Sequence, residues 1–260
     1  MMKIVVCVKQ VPDTEAEKRL LPDTLTVDRE SSNPVLNEMD EFAIEEALKL
    51  TEAHGGEVVV LTMGPDGADA AVRKALSMGA HSGILLSDPA LAGSDAVATS
   101  YAIAQALGTT EYDLVILGSE ASDARTSLVP AMLAERLGLP QLTFASKVEI
   151  DGTSITVNRL TDYGHDVVQA QLPAVVSVVE KINEPRYPSF KGIMAAKKKP
   201  VAELDVAAAG IDAALVGQAA AATTVVDAAQ RPPRSAGVKV TDEGDGGVKL
   251  AEFLSAQKFI

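Results

Sequence analysis

The sequence predicts an α/β fold: a parallel, doubly wound sheet to which antiparallel strands are added, ending in an extended C-terminal arm. Three observations carry that expectation. The apolar residues, 47% of the chain, are mostly Ala, Val, Leu and Ile, with four Tyr, five Phe and no Trp, the make-up of aliphatic strands buried under helices. Four strand-then-helix units follow one another in the first half, which implies parallel strands joined by crossovers. From Leu142 onward the chain changes to short alternating runs separated by turn residues, the mark of antiparallel pairing.

Lys3 to Val8 is a run of β-branched residues and reads as the first strand; Val11-Pro12-Asp13 ends it and opens a polar loop reaching about Val35. At about two dozen residues this loop exceeds an ordinary strand-to-helix connection, and such loops are usually functional. Asn37 is an expected N-cap for a helix with apolar positions at Phe42, Ile44, Ala47, Leu48 and Leu50, stopped by Gly55-Gly56. Glu57 to Met63 is the next strand, followed after Gly64-Pro65-Asp66-Gly67 by a helix from Ala68 to Met78. Ile84 to Leu86 precedes a helix from Ser94, its expected N-cap, to Leu107. Tyr112 to Leu117 leads through Gly118-Ser119-Glu120-Ala121-Ser122-Asp123 to a helix from about Thr126 to Leu137. The runs 142–150, 154–160, 167–172 and 174–179 are expected to add antiparallel strands. Residues 201–235 lack strand periodicity and are read as the arm, with Arg231-Pro232-Pro233-Arg234 as a stiff linker and Val248 to Ile260 as a short amphipathic helix.

Charge and motifs exclude several functions. With 23 Lys and Arg against 36 Asp and Glu the net charge is −13, which repels phosphodiester backbones and speaks against nucleic acid as a partner. No apolar run approaches the ~20 residues needed to span a bilayer, so no direct membrane insertion is expected. One Cys cannot form an internal disulfide, and the start MMKIVVCVKQ is no secretory leader; a reducing compartment, the cytoplasm, is expected. His54, His81 and His165 are too scattered for metal-ligand spacing, and no Gly-rich dinucleotide fingerprint, P-loop or nucleophile elbow is present. No catalytic residue and no metal site are expected. What remains is the stretch from Gly118 to Val129, which leaves a strand's carboxyl end and opens a helix, so that free N–H groups, with Thr126 and Ser127 hydroxyls, could hold an anion; a plain helix cap is the other reading.

Residues 157–199, VNRLTDYGHDVVQAQLPAVVSVVEKINEPRYPSFKGIMAAKKK, resemble the signature region of the electron transfer flavoprotein β-subunit family. "VKQVPDT", "NEMDEFAIEEAL", "ALSMGA", "LVILGSEASD", "GLPQLTFAS" and "RSAGVKV" extend the resemblance over essentially residues 2–260. It implies a Rossmann-like, adenine-nucleotide-binding domain over residues 1–200, including a recognition loop at 183–199, and an arm at 201–260 packed on an α subunit that holds most of an FAD. It further implies a heterodimer carrying electrons from flavin dehydrogenases, such as acyl-CoA dehydrogenase, to the electron transfer flavoprotein quinone oxidoreductase.

The Asn37 to Glu41 motif resembles the non-bifurcating group, in which the β subunit holds a structural AMP. By that resemblance AMP touches Cys7, Asn37, Glu38, Met39, Asp40, Met63, Gly118, Ser119, Glu120, Asp123, Thr126, Ser127, Leu128 and Val129, while Val11, Pro12 and Asp13 lie near the FAD. Phe190 stands where the family's apolar anchor enters the dehydrogenase, with Tyr187, Ile193, Met194, Lys197, Lys198 and Lys199 around it. Leu160 after Arg159 departs from members with an acidic residue facing the α subunit, and Thr14 from those with an aromatic near the flavin. A bifurcating subunit with a second FAD in place of AMP, and a stand-alone adenine-nucleotide module, are the competing readings.

Overall fold

The computed structural model describes residues 2–234 and 236–260; Met1 and Ser235, the latter inside the RSAGVKV motif, lie outside the described residues. The chain forms two compact units, 2–226 and 227–260. In the first unit the strands, in chain order, are β1 (Met2–Val8), β2 (Gln10–Pro12), β3 (Pro34–Leu36), β4 (Gly56–Met63), β5 (Ser82–Leu86), β6 (Leu114–Gly118), β7 (Gln141–Asp151), β8 (Ser154–Thr161), β9 (Gly164–Gln171), β10 (Ala174–Val178) and β11 (Val201–Leu204). The helices are α1 (Glu38–His54), α2 (Asp69–Met78), α3 (Ala96–Leu107), α4 (Val129–Leu137) and α5 (Phe190–Ala196). The second unit contains α6 (Gly246–Ala256).

Nine strands form one sheet in the order β11-β5-β4-β1-β6-β10-β7-β8-β9, and β2 pairs with β3 in a small antiparallel ribbon. Val and Ile runs such as Ile4, Val5 and Val6 are fully buried because both faces are covered. On one face Ala43, Ile44, Ala47 and Leu48 of α1 and Val72, Ala75 and Leu76 of α2 pack over Val6, Val60 and Ile116. On the other, Ala102, Ile103 and Leu107 of α3 and Leu133 of α4 pack over Val5, Leu61 and Val115. The sheet is therefore doubly wound, as expected.

Several expectations need correction. Within the nine-stranded sheet the β7-β8 and β8-β9 pairings are antiparallel, whereas β10 inserts between β6 and β7, parallel to both. Its five residues are all buried, four of them apolar and the fifth, Ser177, accepting from Phe144 N, and a run buried on both faces belongs to an interior parallel strand rather than to a half-exposed meander. The arm does not begin at residue 201: β11 pairs with β5 at the sheet edge, and Ala209, Ile211 and Val216 join the core beside α3. Four residues after Pro200 are too few to show a period, and an edge position tolerates the preceding proline. The N-cap of α3 is Asp95, which accepts from Ala98 N at 3.0 Å, and α4 starts at Val129 rather than Thr126.

Candidate functional site

The chain runs from β1 to β4 and β5 on one side, then crosses through α3 to β6 on the other side of β1. The strand order thus reverses between β1 and β6, and at their carboxyl ends α/β sheets of this kind hold ligands. Here that place is built by the first turn of α1. Asp40, nearly fully buried, accepts from Lys9 N at 2.7 Å and from Gly118 N at 3.2 Å, so one carboxylate spans the ends of both strands. A Cβ on Gly118 would sit 2.6 Å from Asp40 Oδ1 and from Met39 Cβ; only glycine lets α1 come this close. Asn37 does not cap α1 with its side chain. Its Nδ2 donates to Glu120 O at 3.0 Å and its Oδ1 accepts from Ser122 N at 3.1 Å. Asn37 and Asp40 therefore spend their polar atoms on bracing the loops after β1 and β6.

The long loop 13–33, closed on itself by an antiparallel bridge between Leu20 and Val27, is tied to the loop after β6. Arg29 Nη2 lies 2.6 Å from Asp123 Oδ2, Lys9 Nζ lies 2.9 Å from both Asp123 oxygens, and Lys18 Nζ donates to Ser122 O at 2.8 Å. Thr14 Oγ1 donates to Glu38 Oε1 at 3.2 Å. Burial alone would raise the Asp123 carboxyl, but Lys9 and Arg29 beside it hold it below the usual carboxylate range. Lys9, Lys18, Arg29 and Ser122 were not singled out in the sequence; the only available signal was that a loop of that length must be fastened to something.

Above this base the loop 119–128 has features that suit an anion. Leu128 at the N-cap of α4 has no side chain able to cap it, which leaves first-turn N–H groups for a ligand. Ser122 Oγ is buried and has no partner. Arg125 and Ser127 take left-handed φ values of 49° and 51°, folding the loop back before the helix, with Thr126 and Leu128 exposed. Met63 and Cys7 lie on the same sheet face as α4. The phosphate and apolar base of an adenine nucleotide fit this combination.

Some expected contacts are taken up by the chain itself. Glu120 Oε2 accepts from Ser127 Oγ at 3.2 Å, Ser119 Oγ reaches Met39 Sδ at 3.7 Å, and Asp123 is held by its two cations. Burial, with Asp40 nearby, raises the Cys7 thiol well above its usual value, which makes it a packing group and not a nucleophile. Val11 and Pro12 are buried, so of the three residues expected near FAD only Asp13 presents surface.

Residues 183–199, expected to form a recognition loop, are less of a loop than that expectation. Ser189 caps α5 by accepting from Gly192 N at 3.0 Å, and Phe190 opens that helix 81% exposed, beside Tyr187 at 94%. Ile193 and Met194 are half exposed, whereas Ala196 is buried against α2 and the sheet. Lys197 and Lys198 face solvent. Lys199 does not: its Nζ donates to Leu76 O at 2.9 Å and Ala80 O at 2.5 Å, capping the end of α2. A cleft of about 360 Å³ between α2 and α5, lined by Ser77, Tyr187, Lys191 and Gly192 among others, is formed by other residues than those at the carboxyl ends of β1 and β6.

The family model described as "Electron transfer flavoprotein domain" matches residues 24–209. The chain is 51% identical to the electron transfer flavoprotein subunit beta of Mycobacterium tuberculosis (strain ATCC 25618 / H37Rv), with 100% of both chains covered. It is 50% identical to the protein of that name from Mycobacterium leprae and 39% identical to the one from Megasphaera elsdenii, again over the full length of each.

Proposed function

The chain belongs to the electron transfer flavoprotein family, as one of its β subunits, and on that premise we propose that it pairs with an α subunit in an FAD-containing electron carrier. The carrier takes electrons from flavin dehydrogenases such as acyl-CoA dehydrogenase and passes them to the electron transfer flavoprotein quinone oxidoreductase. The bound flavin supplies the redox chemistry; this chain contributes binding, orientation and a docking surface. The observation that carries the proposal is the exposed Phe190 with Ile193 and Met194, large apolar groups facing outward on a helix whose inner side is packed, and the exposed Tyr187 just before that helix. Such a patch on an otherwise acidic chain suits a partner with an apolar pocket, where one buried side chain supplies about 1.5–3 kcal/mol. Lys197 and Lys198 beside it suit an acidic rim.

In the same reading AMP lies at the carboxyl ends of β1 and β6, its base toward Met63 and Cys7 and its phosphate at the α4 N-terminus with Thr126 and with Ser127, whose hydroxyl leaves Glu120 Oε2 for the phosphate. Asn37, Glu38, Met39 and Asp40 shape the crevice floor. Residues 227–260 pack on the α subunit. Small molecules released by denaturing the heterodimer test this: one AMP and one FAD per heterodimer are expected. Two FAD and no AMP would instead assign the chain to the bifurcating group.

A further inference from the structure

The segment bearing Phe190 is fastened at both ends to helices of one sheet face. At its C-terminal end Arg73 Nη1 donates to Ala196 O and Lys199 O, each at 3.1 Å, beside the Lys199 contacts with the end of α2. At its N-terminal end Asn183 Nδ2 donates to Phe42 O at 3.1 Å and Glu46 Oε2 at 3.0 Å. Between Asn183 and Phe190 lies Arg186, the most heavily bonded residue of the segment. Its backbone N and Nε both donate to Glu45 Oε2, at 3.1 and 2.7 Å, and Nη2 reaches Glu45 Oε1 at 3.0 Å. The same guanidinium donates from Nη1 to Glu52 Oε1 at 2.6 Å and from Nη2 to Glu52 Oε2 at 3.1 Å.

Glu45 and Glu52 stand two turns apart on α1, so a single planar fork is gripped by both. The Glu45 side chain is 8% exposed against 35% for Arg186 and 59% for Glu52. The Glu45 carboxylate is thus withdrawn from solvent, Arg186 is partly exposed, and Glu52 holds the guanidinium from the outer side. Glu52 accordingly titrates below the usual carboxylate range because Arg186 donates to it. Pro185 and Pro188 flank the clamp and restrict the backbone on either side, leaving Tyr187 to Ser189 as the whole connection from Arg186 to Phe190.

We propose that Arg186 is a positioning residue for dehydrogenase docking: by bridging Glu45 and Glu52 it holds the root of α5 so that Phe190 is presented in its bound arrangement before the partner arrives. The inference rests on the docking role assigned to Phe190 under the proposed function. Ordering a loop during association weakens binding, and a loop ordered in advance avoids that loss. Lysine keeps the charge but cannot grip two carboxylates in one plane.

The test uses the full-length chain in complex with its α subunit, with purified acyl-CoA dehydrogenase as electron donor and the carrier concentration varied. Arg186→Lys is expected to raise the KM for the carrier by about five- to tenfold, the scale of a few side chains ordered on binding. At saturating carrier kcat stays, as do FAD per heterodimer and melting midpoint. Glu52→Gln, an exposed change, moves KM in the same direction by less. Phe190→Ala raises KM, and adding Arg186→Lys to it brings little further increase, because the two residues act on one contact. An unchanged KM in both Arg186→Lys and Glu52→Gln while Phe190→Ala raises it overturns the positioning role and leaves the docking reading intact. Fully additive effects of Arg186→Lys and Phe190→Ala also overturn it, as does a KM change matched by loss of FAD or of the melting midpoint. No effect of Phe190→Ala removes the docking reading and this inference with it.

Discussion

Burial pushes the Asp40 carboxyl up to about 7, although hydrogen bonds from Lys9 N, Asn37 and Gly118 N and the charge of Lys9 act the other way. In the unfolded chain an aspartate titrates near 3.9, at about 1.4 kcal/mol per pKa unit of difference. Between roughly pH 4 and pH 7 the folded form holds more of this proton than the unfolded one, so the contribution of Asp40 to stability declines as pH rises through that window. The Asp40→Asn variant loses this decline. Its amide nitrogen must face one of the two N–H donors, and the unsatisfied contact lowers stability at pH 5 by about 1–3 kcal/mol. Melting both proteins from pH 5 to pH 8 checks this; parallel curves would refute the assignment. The sequence marked Asn37 and Asp40 as special, but as a cap and a ligand contact. Their actual partners, Glu120, Ser122 and Gly118, lie some eighty positions away, and no local spacing rule reaches that far.

At the level of elements, α5 depends on a close approach to α2. A Cβ on Gly192 would lie 2.4 Å from Ser77 O, so Gly192→Ala must lift α5 from its seat and is expected to cost about 1–3 kcal/mol, the range for overpacking a tight contact. Amide exchange should quicken across residues 187–199 while the β1–β6 crevice keeps its protection. Unchanged exchange there would show that α5 tolerates the methyl group. Helix punctuation was readable: Gly55 ends α1 as expected, and Gly79 and Gly138 close α2 and α4 in the same way. Pairing partners were not. The alternating stretch after Leu142 was read as uniformly antiparallel, while β10, buried at every position, belonged in the parallel interior.

On the scale of the molecule, the boundary falls at Val226 rather than Pro200. Among the described residues of unit 227–260 there is no buried core: α6 buries no residue, and Val248, Leu250, Phe253, Phe259 and Ile260 are exposed. Such a segment gains stability by covering its apolar side against a partner. A chain ending at Val226 is therefore expected to melt within about 3 °C of the intact one, since the sheet and both its faces are complete. It should lose its association with the α subunit in gel filtration. Retained association would place that contact elsewhere on the chain.

The sequence by itself determined the α/β class, the two-sided burial of the strands and the family, because composition, 3.6- and 2-residue periods and short motifs are local properties. It also drew attention to the strand-end loop at Gly118 to Val129, since glycine punctuation can be read in place, and to Phe190 through the family resemblance. Only the tertiary structure decided that Asp40 joins β1 to β6, that Asp123 gathers Lys9 and Arg29 to fasten the long loop, that Lys199 turns inward while its neighbours do not, and that Arg186 is gripped by Glu45 and Glu52. Each of these is an ion pair or hydrogen bond between residues brought together by crossover connections, and its geometry exists only once the sheet order and the helix positions are set.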